Sequence, residues 1–436
     1  MTKTLIRGRT LTFLAQPQAP DDMASCHYEE DGALLVENGK IVRAGPCEAI
    51  REAAGAGVPV IDHRPHLILP GFIDCHAHFP QMQVIASYGA ELLEWLNKYT
   101  FPEETKFSDP AHAARIAKAF LDELIRHGTT SVAAYCTVRP QSAEALFAEA
   151  ARRDMAILAG KVMMDRNAPE ALTDTPQSSY DETKALIARW HGKGRARYAI
   201  TPRFAITSTP EQLEMAGALV REHPDCHIQT HLSENHAEIA LTNQLYPQAG
   251  DYFGVYERYG LAGPKSLFGH SIHLSERELD AMAASGSVAV MCPTSNLFLG
   301  SGLMDWQRYR KRGNPVRTAT ATDVGGGTNY SMLRTMDEAY KVIALNGEKI
   351  NPLASFWQIT LGNAEALSLE GEIGTLEEGT AADLVVLDAR ATPAMALRME
   401  TVTTLAEELF LLQTLGDDRA VVETYVAGTR AKAALT

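Results

Sequence analysis

Two hydrophobic patterns alternate through the middle of the chain. Short apolar runs read as strands over Leu67–His78, Thr129–Cys136, Met155–Asp165, Tyr198–Ile206, His227–Glu234, Ser266–His273, Ser287–Asn296 and Thr318–Asp323. Between them lie stretches with helical spacing of apolar and polar residues: Ala111–His127, Ser142–Asp154, Tyr180–Gly192, Pro210–His223, Ser275–Ala284 and Met332–Leu345. Helix starts are marked. Ser275 with Glu278 fits a capping box, and Thr209 precedes Pro210 as an N-cap precedes a first-turn proline. Eight such units over roughly 280 residues suit a closed (β/α)8 TIM barrel. A doubly wound open sheet is the other arrangement the alternation permits.

The chain ends follow a different pattern. Ala33–Ala44 reads as two short strands joined at Asn38-Gly39, a strong hairpin signal, and Ala15–Glu30 reads as loop. Gly379–Leu387 and Val421–Arg430 are again strand-like. The two ends, 1–66 and 373–436, are therefore expected to form one small flanking β-domain, with the barrel, 67–372, inserted between them. Two stretches break the regular alternation. Pro80–Ser108 follows the first barrel strand, and Asn235–Gly263 follows the fifth and carries Tyr246, Tyr252, Phe253, Tyr256 and Tyr259. Loops after barrel strands build the mouth of the site. These aromatics are candidate pocket walls, with ordinary core packing as the alternative.

Composition narrows the class. Of 436 residues 45% are hydrophobic and 22% charged, the balance of a soluble globular protein, and the formal charge is −14 without a long run. That argues against nucleic-acid and anionic-membrane partners. The six cysteines (Cys26, Cys47, Cys75, Cys136, Cys226, Cys292) are scattered, with no C-x-x-C, and read as reduced thiols of a cytoplasmic protein. The N-terminus has no signal-type apolar region, and no run of ~18 apolar residues offers a membrane span.

The chemistry gathers at the ends of the candidate strands, where barrel enzymes place their sites. Strand one ends in His76-Ala77-His78, and residues at i and i+2 of a strand share a face. Strand five ends in Thr230-His231-Leu232-Ser233-Glu234, strand six carries Gly269-His270, and strand eight ends in Thr322-Asp323. Imidazoles and a carboxylate around one point suit a borderline cation such as zinc, with a position left for water. Glu234, three residues past His231, is placed for general acid–base work. The remaining histidines read as structural: His63 and His66 precede the first strand, His112 and His127 flank a helix, His227 is at the wrong strand end, and His273 cannot share a face with His270. His236-Ala237-Glu238 is formally an H-x-E, but the P-C-x-x-C that accompanies it in cytidine-type zinc deaminases is missing. Lys161 could in principle be carboxylated to bridge two metals. Mid-strand in an apolar run it reads as structural, which favours a single metal.

With P-G-F-I-D-x-H-x-H on strand one and His, His and Asp on strands five, six and eight, the chain resembles the amidohydrolase superfamily. Within it the chain looks like the guanine deaminases. The matching stretches are HFPQ (His78–Gln81), LLEWLNKYTFPEE (Leu92–Glu104), TPRF (Thr201–Phe204), THLSEN (Thr230–Asn235), GHSIHLSEREL, CPTSNLFLGSG (Cys292–Gly302) and TDVGGGTNYSML (Thr322–Leu333). The resemblance spans essentially the whole chain. It implies one Zn2+ per chain on His76, His78, His231 and Asp323, with His270 as a further ligand or hydrogen-bond partner of the water. It implies a purine substrate bound by His78, Phe79, Pro80, Gln81, Trp95, Arg203, Phe204 and His231 together with Glu234 and Asp323. Catalysis would fall to Glu234, Asp323 and His270: a zinc-bound hydroxide would attack guanine, Glu234 would shuttle protons, and ammonia would leave an oxo-purine. Gly325-Gly326-Gly327 and Phe79-Pro80 lie where such enzymes vary. Relatives of this kind are commonly dimers, so a homodimer is expected. The alternatives are a sister deaminase of 8-oxoguanine, a triazine or a modified adenine, a two-metal cyclic amidase, and an inactive binding protein.

Overall fold

The computed structural model describes residues 3–88 and 92–435. Strands β1 (Lys3–Phe13), β2 (Cys26–Glu37), β3 (Lys40–Pro46) and β4 (Val60–Pro70) open the chain. There follow β5 (Phe72–His78), β6 (Thr129–Tyr135), β7 (Ala156–Gly160), β8 (Val162–Met163), β9 (Ala196–Pro202), β10 (His227–Leu232), β11 (Ser266–His270), β12 (Val288–Met291) and β13 (Arg317–Thr320). Strands β14 (Leu384–Leu387), β15 (Val421–Val426) and β16 (Thr429–Arg430) come last. One sheet, in the order β16-β15-β14-β4-β1-β2-β3, joins the two chain ends. The other runs in chain order from β5 to β13, and its pairings are all parallel. Strands β7 and β8 are two halves of one stave interrupted at Lys161, and both pair with β9. Eight staves result, as the alternation predicts.

Helices coat the barrel. Pro110–Arg126 shows why: Asp109 caps Ala111 N, Pro110 occupies the first turn, and Ala113, Ile116, Ala117, Phe120, Leu121 and Leu124 fall on one buried face. The chain reverses at Gly128 with φ 85°, a backbone that favours glycine. The Ser275–Glu278 capping box and the Thr209 cap form as expected, and the Asn38-Gly39 turn has both residues left-handed.

The barrel closes between β5 and the segment after β13. Asp323 N donates to His76 O (2.8 Å) and His78 N to Val324 O (2.8 Å), which rules out the open sheet. Two buried side chains lock this seam. Asn363 Nδ2 donates to Ile73 O (2.7 Å) and Thr320 O (2.8 Å), and its Oδ1 accepts from Thr320 N (3.0 Å). Asp74 accepts from His76 N (3.2 Å), Thr322 N (3.1 Å) and the Thr322 hydroxyl. Asn363→Ala would strand three buried backbone groups, so it is expected to cost about 2–4 kcal/mol and lower the thermal unfolding midpoint by several degrees. An unchanged midpoint would show that the seam does not depend on this side chain.

Several expectations change. Leu67–His78 is two strands: the chain leaves one sheet at Pro70 and enters the barrel at Phe72. The crossover is Gly71, where a Cβ would fall 2.2 Å from Thr130 Oγ1. Ser287–Asn296 stops as strand at Met291, and Pro293 starts a helix, Pro293–Phe298. Residues 26–30 are strand rather than loop, paired with the end of β1. Helices Cys47–Ala54, Pro393–Met399 and Leu405–Leu415 stand in the ends read as β-rich. The Pro80–Ser108 stretch, of which residues 89–91 lie outside the described residues, is mostly helical and includes a π turn at Leu96–Thr100. Tyr252, Phe253 and Tyr256 are fully buried in the core rather than pocket walls. The six cysteines are free and buried, and among the described residues no helix is long and apolar enough to cross a membrane.

Candidate active site

The backbone at the C-terminal ends of the strands turns sharply to present the predicted residues. His76 and His78 stand on β5 and His231 on β10. His270, the last residue of β11, has φ 66°, and Asp323, three residues beyond β13, has φ 52°. Such left-handed backbone is costly away from glycine and clusters at functional sites. The four imidazoles converge, with the His76 ring 4.8 Å from His231 and 5.5 Å from His270.

The donor set fits a cation. His78 Nε2 lies 3.1 Å from His231 Nε2, and Asp323 Oδ1 lies 3.3 Å from His76 Nε2 and 3.4 Å from His78 Nε2. His231 Nδ1 donates its proton to Arg203 O (2.7 Å), which leaves Nε2 as a bare lone pair aimed at His78. His76 Nε2 is buried with no hydrogen-bond partner among the described residues. Burial holds His76, His78 and His231 below the usual imidazole range, and so neutral, the form that ligates. His270 Nδ1 meets Asn296 Oδ1 (2.9 Å), and its Nε2 faces Glu234 Oε2 (3.4 Å) and Asp323 Oδ2 (3.8 Å). Cys292 Sγ lies near His76 and His270, but burial pushes its thiol well above the usual range and it bonds to Val290 O (3.6 Å).

The ring of His76 sits directly on Gly269, where a Cβ would fall 2.5 Å from His76 Cε1. Gly269→Ala must therefore displace that imidazole. We expect metal affinity to fall about 10- to 100-fold in a competition titration with a chelator, while the fold is retained.

Glu234 lies two residues past β10 and is 2% exposed. Burial pushes its carboxyl up to about 7, although the His270 imidazole pulls the other way. Ser301 Oγ donates to its Oε1 (3.0 Å). Glu238, which closes the capping box of the next helix, accepts from Glu234 N (2.8 Å) and from Tyr252 OH (2.7 Å), so the loop bearing Glu234 is braced.

Above these groups lies a narrow cavity. Gln81, Trp95, Arg203 and Phe204 line it. Leu92, Leu96, Leu299 and Gly326, which sequence reasoning missed, line it too. The Phe79 ring does not: it packs against Phe107 and Phe120 in the core, and neither it nor Pro80 forms part of the wall. Arg203 Nη1 donates to Glu104 Oε2 (2.7 Å), and Gln81 Nε2 donates to Glu104 Oε1 (3.0 Å). Glu104 stands inside a motif the sequence picks out, but its partners are remote in sequence.

The residues read as structural lie elsewhere. Lys161 Nζ pairs with Asp174 Oδ2 (2.5 Å) and Glu182 Oε2 (3.3 Å), not with the imidazoles. His63 bonds to Tyr425 OH (2.6 Å), His227 to Leu367 O (2.7 Å) and His273 to Ser301 O (2.8 Å).

The chain is similar to known proteins over its full length. The model of the amidohydrolase family matches residues 67–431. Guanine deaminase of Escherichia coli (strain K12) is 44% identical over 98% of this chain and 97% of its own length, and its solved structure superposes with a TM-score of 0.94 over 98% of this chain and 99% of that one. Guanine deaminase from C. acetobutylicum, solved with guanine bound in the active site, is 30% identical with a TM-score of 0.86, covering 98% of this chain and all of that one. Mouse (Mus musculus) guanine deaminase is 34% identical over 88% of this chain and 84% of its own length. These relatives are guanine deaminases, and the chain belongs to the amidohydrolase family.

Proposed function

We propose that this chain hydrolyses guanine to xanthine and ammonia. The observation that carries the reading is near-full-length similarity to guanine deaminases, one of them solved with guanine in its site, in a chain that gathers His78, His231, His270, Glu234 and Asp323 at one cavity. In this reading His76, His78, His231 and Asp323 hold one Zn2+ per chain, and His270 is a further ligand or a hydrogen-bond partner of the water. When bound, the cation would supply a Lewis acid that brings the pKa of water toward ~7.

The protein groups do the rest. Trp95 and Phe204 offer flat apolar surface to the purine, and Arg203 and Gln81 offer polar atoms to its edge. Phe79 and Pro80 contribute as the buried backbone segment that carries His78 and Gln81 into the site. The attacked atom is C2, an amidine-like carbon between two ring nitrogens. Asp323 accepts the proton lost by the attacking water. Glu234 protonates the ring nitrogen beside C2, reclaims a proton from the hydroxyl added at C2 and delivers it to the 2-amino group, so that ammonia leaves rather than an amide anion; the proton held by Asp323 then restores Glu234. Its raised pKa means a proton is available near neutrality. Water adds its oxygen at C2, ammonia takes the nitrogen, and no redox change occurs.

The same reading takes residues 1–66 and 373–436 as one small domain beside the 67–372 barrel, and the protein as a cytoplasmic homodimer. Light scattering that gave the mass of a single chain would count against the dimer. The activity is tested by ammonia release from guanine, 8-oxoguanine, adenine, cytosine, guanosine and ammeline. Guanine should dominate. An inert guanine beside a reactive second amine would move the substrate assignment to that amine.

A further inference from the structure

We infer that Glu104 is a positioning residue that fixes the hydrogen-bond polarity of the cavity wall and so selects a 6-oxo over a 6-amino purine edge. The inference rests on the purine reading above. Gln81, Glu104 and Arg203 are each at most 3% exposed, and one carboxylate spans the other two. An ionised carboxylate only accepts hydrogen bonds. Its Oε1 therefore commits the amide nitrogen of Gln81, so the Gln81 carbonyl oxygen is the atom left to meet a ligand. That oxygen accepts no hydrogen bond among the described residues, and it packs against Gly325, where a Cβ would fall 2.1 Å from it. Glu104 Oε2 engages one end of Arg203, whose other N–H groups have no protein partner among the described residues and only donate.

The wall thus offers a fixed acceptor beside fixed donors. A 6-oxo purine edge carries an acceptor, O6, beside a donor, N1–H, and complements that pair. A 6-amino edge carries the reverse and would set donor against donor and lone pair against lone pair, which costs more than a missing contact. Arg203 cannot invert, because guanidinium has no acceptor. Gln81 could invert by an amide flip, and Glu104 is what prevents it. The Phe101 ring, 5.6 Å from the Arg203 guanidinium, adds a cation–π contact to it.

The test is equilibrium binding of hypoxanthine and adenine to the metal-loaded protein by calorimetry. Neither ligand has a 2-amino group, so neither is consumed at C2, and the ratio of their dissociation constants reads the edge polarity without turnover. Wild type should favour hypoxanthine by at least about tenfold. In Glu104→Gln the new amide must still accept from Arg203, which turns its NH2 toward Gln81 and flips that amide. The preference should shrink by about tenfold or more while metal content is unchanged. Glu104→Asp keeps the charge but is one methylene too short for both partners. It should narrow the ratio by a smaller factor, and it serves as the test if Glu104→Gln does not fold. A ratio that stays at the wild-type value in either folded variant, or a wild type that binds both ligands alike, would overturn the role of Glu104. Wild type that shows the ratio yet releases no ammonia from guanine would instead overturn the proposed reaction and leave the wall polarity standing.

Discussion

Asp323→Asn is expected to lower kcat/KM on guanine by on the order of 10⁴, and to take most of the bound metal with it. The change is nearly isosteric, so the fold should survive. The charge does not survive, and the charge matters most here. Three buried imidazoles held neutral can offer lone pairs but no compensation for a dication. Asp323 would supply that compensation within 3.4 Å of His76 Nε2 and His78 Nε2, and the His76, His270 and His231 imidazoles help hold its carboxyl, despite burial, at about 2. The backbone cooperates: Asp323 N bonds to His76 O, so the carboxylate and the first imidazole pair are set by one seam. Metal analysis beside a rate assay reads both effects in one preparation. A protein with full metal and wild-type rate would remove Asp323 from both of its roles.

Glu234→Gln separates proton transfer from metal binding. The amide keeps the shape and can still meet Ser301, but it cannot donate and reclaim a proton at C2. General acid–base catalysis contributes about 10²–10⁴-fold, and in the proposed reaction Glu234 serves two transfers, so a fall in kcat near the upper end is expected with metal content unchanged. Substrate binding should survive, because the flat walls and the Arg203 side of the cavity are untouched. A kcat within about threefold of wild type would assign the shuttle to another group.

Much of this site is legible in the sequence because its imidazoles and carboxylates stand at strand ends. A strand-end position is a statement about period, and the change from strand-like to helix-like spacing marks each β-to-α turn. What the pattern hides is contact across long separations. Leu67–His78 reads as one strand because both halves are buried, although Gly71 passes it from one sheet to the other. Asp74 and Asn363 close the barrel through partners that no local pattern announces. Glu104 lies in a recognisable stretch, yet its purpose appears only when Arg203, 99 residues away, folds against it. Phe79 shows the converse: proximity to His78 suggests a pocket ring, but neighbouring residues of a turn point differently, and this one points into the core.

At the centre stands one reaction: this cavity adds water to C2 of guanine and expels the 2-amino group. The most direct measurement is the mass of the product formed from guanine by metal-loaded protein in 18O-labelled water, with ammonia counted in the same sample. Xanthine carrying a single heavy oxygen at C2, with one ammonia for each, is the expected result. Unlabelled product, label at another position, or no xanthine at all would contradict it.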